Sequence, residues 1–233
     1  MIRVLVIEDD PAIAEIIEYY LTQCGGYAVT AVPDGTAALN AVASPSEPFD
    51  IILLDVMLPD LNGVELCSRL RRNIYCPILF ISCIDDEEVI VSALRMGGDD
   101  YLVKPFTCAL LQARIEANLR RVQMERRSAA PASLHFAEFT LDPSDHTLEK
   151  NGCCYSLSPI EYQLLCFFLA HPGQYFSLQK LYEQIWNRPS LGDTRTVMVH
   201  IHNLRKKLEE DPASPKVLVS ARGRGYCFRA TPL

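Results

Sequence analysis

Short apolar runs alternate with stretches of helical periodicity along the first half of the chain. The runs fall at 3–7, 27–32, 50–54, 77–82 and 101–103. Apolar residues recur at helical spacing near 11–23, 35–43, 63–72, 85–96 and 107–121. The strand-like runs are continuous rather than alternating, as parallel strands covered on both faces should be. Five strand–helix units in succession predict an open α/β, doubly wound, five-stranded parallel sheet.

The pattern then changes. Residues 120–133, "RRVQMERRSAAPAS", pass from charged to small and Pro-containing, with little to bury. A domain over 1–122 and a flexible linker over 123–133 are expected. Short strand-like pieces fill 134–157. Ser158, Pro159 and Glu161 then spell a helix start, with an N-cap, a proline at the first helical position and a capping box. Gly173 ends that helix. A second helix follows Ser177 over 178–186, and a third follows Asp193 and runs to about Glu210. The segment 216–230 reads as a hairpin. Strands, three helices and a terminal hairpin outline an α+β winged helix over 134–233.

No apolar run approaches the ~18 residues that would suggest a membrane span. The start, "MIRVLVIEDD", turns acidic too soon for a signal peptide, so a cytoplasmic location is expected. The nine cysteines include no C-x-x-C pair and read as reduced, packed thiols. The formal charge of −7 is uneven. Residues 1–122 hold 9 basic and 18 acidic residues, a net of −9; the remainder holds 13 and 11, a net of +2. One acidic and one mildly basic half imply two domains with different partners.

In open parallel sheets, chemistry gathers beyond the carboxyl ends of the strands. Strand one ends in Glu8-Asp9-Asp10, strand three in Asp55 and strand four in Ser82; Lys104-Pro105 follows strand five. Clustered carboxylates repel one another unless a cation neutralises them. An all-oxygen donor set suits Mg²⁺, which retains waters and shares phosphate oxygens. A lysine facing the acids makes sense if a further anion arrives, and a carboxylate can accept a phosphoryl group. Asp10 before Pro11 reads as an N-cap, and Asp60 with Asn62 as a turn before Gly63. A dinucleotide-binding site is disfavoured because "EDDPA" lacks the glycines that approach a pyrophosphate. A phosphatase of the haloacid dehalogenase type would need an acid where Met57 stands, which disfavours it; a transfer onto the chain's own acid is self-modification, so no enzyme is expected.

The segments "VLVIEDDP", "DIILLDVMLPDLNGVEL", "LFIS" and "GGDDYLVKPF" resemble the receiver domain of two-component response regulators, which implies that the doubly wound sheet is flavodoxin-like. With the second half included, nearly the whole chain resembles the OmpR/PhoB-type winged-helix transcription regulators, which implies that 134–233 is a DNA-binding domain. The resemblance implies that Asp55 is the phosphoacceptor, served by a sensor histidine kinase. It implies that Glu8, Asp9, Asp55 and the Met57 carbonyl hold Mg²⁺. Ser82 and Lys104 would meet the phosphoryl group, and Tyr101 would be the aromatic switch. The Lys104-Pro105 peptide is a candidate for the cis form. The family pairs through its fourth helix, fifth strand and fifth helix, so Asp99, Asp100, Arg114 and Arg121 would pair across a homodimer. Ile90 and Leu110 depart from the family, standing where a basic and an acidic residue often pair; an apolar contact is expected in place of that salt bridge.

In the third helix of the second half, Val197, Ile201, Leu204 and Leu208 form a core stripe. The resemblance makes this the recognition helix for promoter DNA. Met198, Val199, His202, Asn203 and Lys206 are expected on the reading side, with Asn203 suited to adenine and Val199 to a thymine methyl. Arg195, His200, Arg205 and Lys206 are expected at phosphates. Arg222, in the hairpin, is placed to enter a minor groove. Regulation of transcription, with RNA polymerase as a further partner, follows from the resemblance. The alternative left open is a DNA-binding regulator indifferent to phosphorylation.

Overall fold

A computed structural model describes residues 1–23, 26–43, 48–127, 134–186 and 194–229, side chains at 121 and 123–127 excepted. The chain divides into two compact units, Met1–Val122 and Gln123–Leu233.

The first unit runs β1 (Ile2–Ile7), α1 (Pro11–Gln23), β2 (Tyr27–Val32), α2 (Gly35–Ala43), β3 (Ile51–Leu54), α3 (Gly63–Leu70), β4 (Ile78–Ser82), α4 (Glu87–Arg95), β5 (Asp100–Val103) and α5 (Cys108–Arg127). All pairings are parallel, in the order β2-β1-β3-β4-β5. Alternate strand residues supply opposite faces. Val4, Val6, Ile51, Leu53, Leu79 and Ile81 pack with Ile17, Leu21, Leu111 and Ile115 on one side. Leu5, Ile7, Ile52, Leu54, Ile78 and Phe80 pack with Ala38, Leu66, Cys67 and Ala93 on the other. That double coverage explains why β3 is four apolar residues in a row, each fully buried and each worth roughly 1.5–3 kcal/mol of burial.

α5 continues to Arg127, into residues the sequence pattern assigned to a linker. Arginine, glutamine, methionine and glutamate are strong helix formers, so the helix outlasts its apolar stripe. The rest of that segment, 128–133, lies outside the described residues, as does Cys24.

The second unit opens with an antiparallel sheet of β6 (Leu134–His135), β7 (Thr140–Asp142), β8 (Thr147–Lys150) and β9 (Cys153–Ser156). Asn151 and Gly152 join β8 to β9 with φ of 51° and 75°, the left-handed pair that a two-residue hairpin turn requires. Helices α6 (Pro159–Ala170), α7 (Leu178–Trp186) and α8 (Arg195–Leu208) follow, then the hairpin β10 (Leu218–Ala221) and β11 (Gly225–Phe228). The capping box forms as read: the Ser158 amide donates to Glu161 Oε2 at 2.8 Å, and the Glu161 amide to Ser158 Oγ at 3.4 Å. Thr194 precedes α8; Asp193 lies outside the described residues. Phe168, Trp186, Val197, Ile201, Leu204, Leu218 and Phe228 build the core of this unit.

Candidate functional site

β1 and β3 lie side by side, so their ends deliver Glu8 and Asp55 to one edge. The Asp55 amide donates to the Ile7 carbonyl at 3.0 Å, extending the ladder one step past β3. Beyond β5, Lys104 reaches back across the edge. Its Nζ donates to Glu8 Oε2 at 2.7 Å, Glu8 Oε1 at 2.9 Å and Asp55 Oδ2 at 2.7 Å. The second Asp55 oxygen accepts the Met57 amide at 3.0 Å. Glu8, Asp9 and Asp55 each offer an oxygen within 4.8 Å of the others. Glu8 and Asp55 are buried, whereas Asp9 is exposed. The Lys104-Pro105 peptide is cis.

One ammonium thus serves two of the three clustered carboxylates. Burial pushes the Glu8 carboxyl above the usual range, although Lys104 opposes it. Burial alone would lower the Lys104 ammonium, but bonds and charges from Asp55 and Glu8 outweigh it and hold it high. The pocket keeps an excess of negative charge, the condition a divalent cation would relieve.

Ser82 ends β4 and is buried. Tyr101 also lies inside, 9% exposed, against Phe80 at 6.0 Å between ring centroids, with its hydroxyl donating to the Ile84 carbonyl at 2.9 Å. Burial raises the phenol's pKa, despite a hydrogen bond with Ser82 that lowers it.

The polar residues around the site are caps. Asp10 accepts the Ala12 amide at 2.9 Å, and Asn62 caps α3 through the Val64 amide at 2.8 Å. Asp60 does more than turn the chain. It accepts the Gly35 and Thr36 amides and the Thr36 hydroxyl at the start of α2, and its carboxyl falls to about 2, chiefly through the hydroxyl bond. Gly63 is a positional residue that the sequence pattern passed over. A Cβ there would stand 2.0 Å from the Asp55 carbonyl oxygen, so only glycine lets α3 start this close to the acid. A glycine opening a helix just past the strand-tip acid was the available signal.

Two acids expected at a dimer contact are instead paired within the unit. Asp99 is fully buried; it accepts the Ile78 amide at 2.9 Å and pairs with Arg71. Arg71 also donates to the carbonyls of Gly97 at 2.7 Å and Cys76 at 2.6 Å. Asp99 therefore ties two loops together and presents nothing outward. Asp100 is buried too; both of its oxygens accept from Arg114 Nη1 at 2.9 Å, and Oδ1 also accepts the Tyr101 amide at 2.9 Å. Leu110 is 42% exposed, and Ile90 packs partly into the core. The side chain of Arg121 lies outside the described residues.

The reading face of α8 also differs from expectation. Arg195, Met198 and Lys206 are exposed and His202 is half-buried. Val199, His200 and Asn203 are buried. At 100° per residue, Thr196, Val199, His200 and Asn203 form a second stripe beside the core stripe, so burial extends over more than half the helix. His200 lies 6.0 Å from the Trp186 ring centre. Arg205 is half-buried: its Nε donates to the Leu218 carbonyl at 2.9 Å and its guanidinium lies 5.4 Å from the centre of the Tyr226 ring. Arg222 is exposed in the hairpin turn.

An acid cluster, a hydroxyl and a lysine at the carboxyl edge of a five-stranded parallel sheet define a receiver, and the three helices with a terminal hairpin define a DNA-binding unit. Comparison with known proteins agrees. Residues 4–116 match the response regulator receiver domain, and residues 152–228 match the C-terminal domain of transcriptional regulatory proteins. The chain is 40% identical to a probable transcriptional regulatory protein of Picosynechococcus, over 97% of this chain and 92% of that one. It is 39% identical to the DNA-binding response regulator MtrA of Mycobacterium tuberculosis, over 96% and 95%. Among solved structures it resembles a mutant of RitR, at 25% identity and a TM-score of 0.82, over 98% and 99%. The chain belongs to the two-component response regulators that join a receiver to an OmpR/PhoB-type DNA-binding domain. Among the described residues, no helix is long and apolar enough to cross a membrane.

Proposed function

We propose that Asp55 accepts a phosphoryl group from a sensor histidine kinase and that the modified protein pairs and regulates transcription at promoter DNA. The observation that carries this is Lys104 bridging Glu8 and Asp55 at the sheet edge. An Asp55 oxygen attacks phosphorus, the P–N bond to the kinase histidine breaks, the histidine recovers a proton, and an acyl phosphate remains. Mg²⁺, when bound by Glu8, Asp9, Asp55 and the Met57 carbonyl, would neutralise the charge that gathers on the phosphoryl oxygens. Lys104 exchanges a carboxylate partner for a phosphoryl oxygen, and Ser82 supplies a hydroxyl to another. The transfer modifies the chain itself, so it is not counted as an enzyme.

The reading surface we assign to DNA is Arg195, Met198, His202 and Lys206 on α8 with Arg222 in the hairpin. Arg195 and Lys206 position the helix on phosphates, while Met198 and His202 meet base edges. Pairing would use the exposed Leu110 at the start of α5 together with Ile90 of α4. Two linked readers raise each other's effective concentration, which offsets a modest positive charge on the DNA-binding half. The proposed setting is the cytoplasm, with RNA polymerase as a further partner.

One observation favours a second reading. Tyr101 lies inward with its hydroxyl held by the Ile84 carbonyl at 2.9 Å, a placement that a regulator indifferent to phosphorylation would keep. Light scattering and DNA titration with Mg²⁺, before and after beryllofluoride, separate the two. The first reading expects a monomer to become a dimer with tighter DNA binding, and Asp55→Ala to abolish both changes. Equal mass and equal affinity in both states would favour the second.

A further inference from the structure

The flank of the terminal hairpin carries a cluster that the reading surface above does not use. The segment before α7 docks on β11 as an extra strand: Phe176 and Tyr226 exchange both backbone hydrogen bonds at 2.9 Å. Gly225 permits this approach, because a Cβ there would lie 2.0 Å from the Phe176 carbonyl oxygen, and its φ is 97°. Neighbouring side chains in such a segment point to opposite faces. Phe176 turns into the core among Phe167, Phe168 and His171. Tyr175 is left on the outer side.

Two guanidinium groups meet there. Arg224 lies over the Tyr175 ring, 4.1 Å from its centre. Arg229 Nη2 donates to the Tyr175 hydroxyl at 2.9 Å. Both arginines are exposed, as is Arg222 beside them in the turn. None of the three has a carboxylate partner among the described residues. The segment from Lys216 to Arg229 holds four basic residues and no acid, in a chain whose net charge is −7. Stacking on an aromatic face restrains a guanidinium while leaving its in-plane donors outward, and those donors match two oxygens of one phosphate.

We infer that Tyr175, Arg224 and Arg229 form a phosphodiester-binding pair of guanidinium forks, which grips the DNA backbone beside the contact made by Arg222. This rests on the DNA-binding reading and extends it from the recognition helix to the hairpin flank. Tyr175 is the positioning residue: it fixes one fork by its ring and the other by its hydroxyl. The partner is nucleic acid rather than an acidic protein because the forks adjoin a hairpin already assigned to the groove.

The test is fluorescence anisotropy of a labelled duplex from the chain's own upstream region, with full-length protein, Mg²⁺ and beryllofluoride, at stepped salt. Each phosphate contact contributes about 0.9 to the slope of log affinity against log salt. Joint Arg224→Ala and Arg229→Ala substitution should reduce the slope by about 1.8, and lysine at both positions should restore it. Tyr175→Ala should weaken binding at fixed salt although every charge remains. A slope unchanged in the double alanine variant overturns the inference while leaving DNA binding intact; an acidic protein partner would give that same result. A wild-type chain that binds no duplex at any salt overturns the DNA-binding reading and this inference with it.

Discussion

The Lys104 ammonium lies 2.7 Å from Asp55 Oδ2 and reaches Glu8 by the same nitrogen. Two buried carboxylates therefore depend on one cation. Removing one partner of a buried ion pair costs about 3–5 kcal/mol. Lys104→Ala should lower stability by about that much in EDTA. Added Mg²⁺ should then raise the melting temperature of the variant more than that of the wild type, because it supplies the missing charge. Calorimetry with and without Mg²⁺ reads both effects. Equal Mg²⁺ shifts in the two proteins would show that the acids do not share a cation.

Gly63 should tolerate no side chain. The Cβ of an alanine would stand 2.0 Å from the Asp55 carbonyl oxygen and 2.8 Å from Val56 Cα, and backbone atoms cannot step aside as a side chain can. Gly63→Ala should cost about 1–3 kcal/mol by overpacking. It should also weaken beryllofluoride binding, since α3 must retreat from the acid. Retention of full beryllofluoride affinity would contradict the close approach.

Asp99→Ala should destabilise the unphosphorylated monomer by about 3–5 kcal/mol, by leaving the Arg71 charge without its buried partner. Urea unfolding of the isolated monomer measures this. A residue that acted only in a dimer contact would leave the monomer's stability unchanged.

Glu161 gives the second unit an acid-sensitive element. Burial alone would raise its carboxyl, but Lys207, 2.5 Å away, and the Ser158 amide hold it below the ordinary glutamate value. A depressed folded-state pKa means the contribution is complete above the ordinary value and disappears as pH falls through the depressed one. Stability measured against pH should therefore drop on the acid side of the ordinary glutamate range, and Glu161→Gln should flatten that drop. An identical acid limb in the variant would remove Glu161 from the account.

The sheet and its edge were legible because β3 and its neighbours are buried on both faces, which leaves uninterrupted apolar runs that end where the chemistry begins. Asp55, Ser82 and Lys104 sit at such ends, and Ser158 and Glu161 announce their helix by local spacing. Pairings at long separation were not legible. Nothing local links Arg71 to Asp99, 28 residues on, or separates an inward Asp99 from a solvated one. The second buried stripe of α8 was hidden for a different reason. His200 and Asn203 are polar types that read as outward, yet they stand beside the core stripe. Arg205 likewise reads as fully outward, and nothing local announces the β10 carbonyl, 13 residues on, that its Nε meets.

The central claim is that Asp55 is the phosphoacceptor. The most direct measurement is intact-mass spectrometry of the full chain after incubation with acetyl phosphate and Mg²⁺, for wild type, Asp55→Ala and wild type in EDTA. The account predicts a gain of one phosphoryl group in the first sample alone. A gain that survives in Asp55→Ala, or no gain in the wild type, would contradict it.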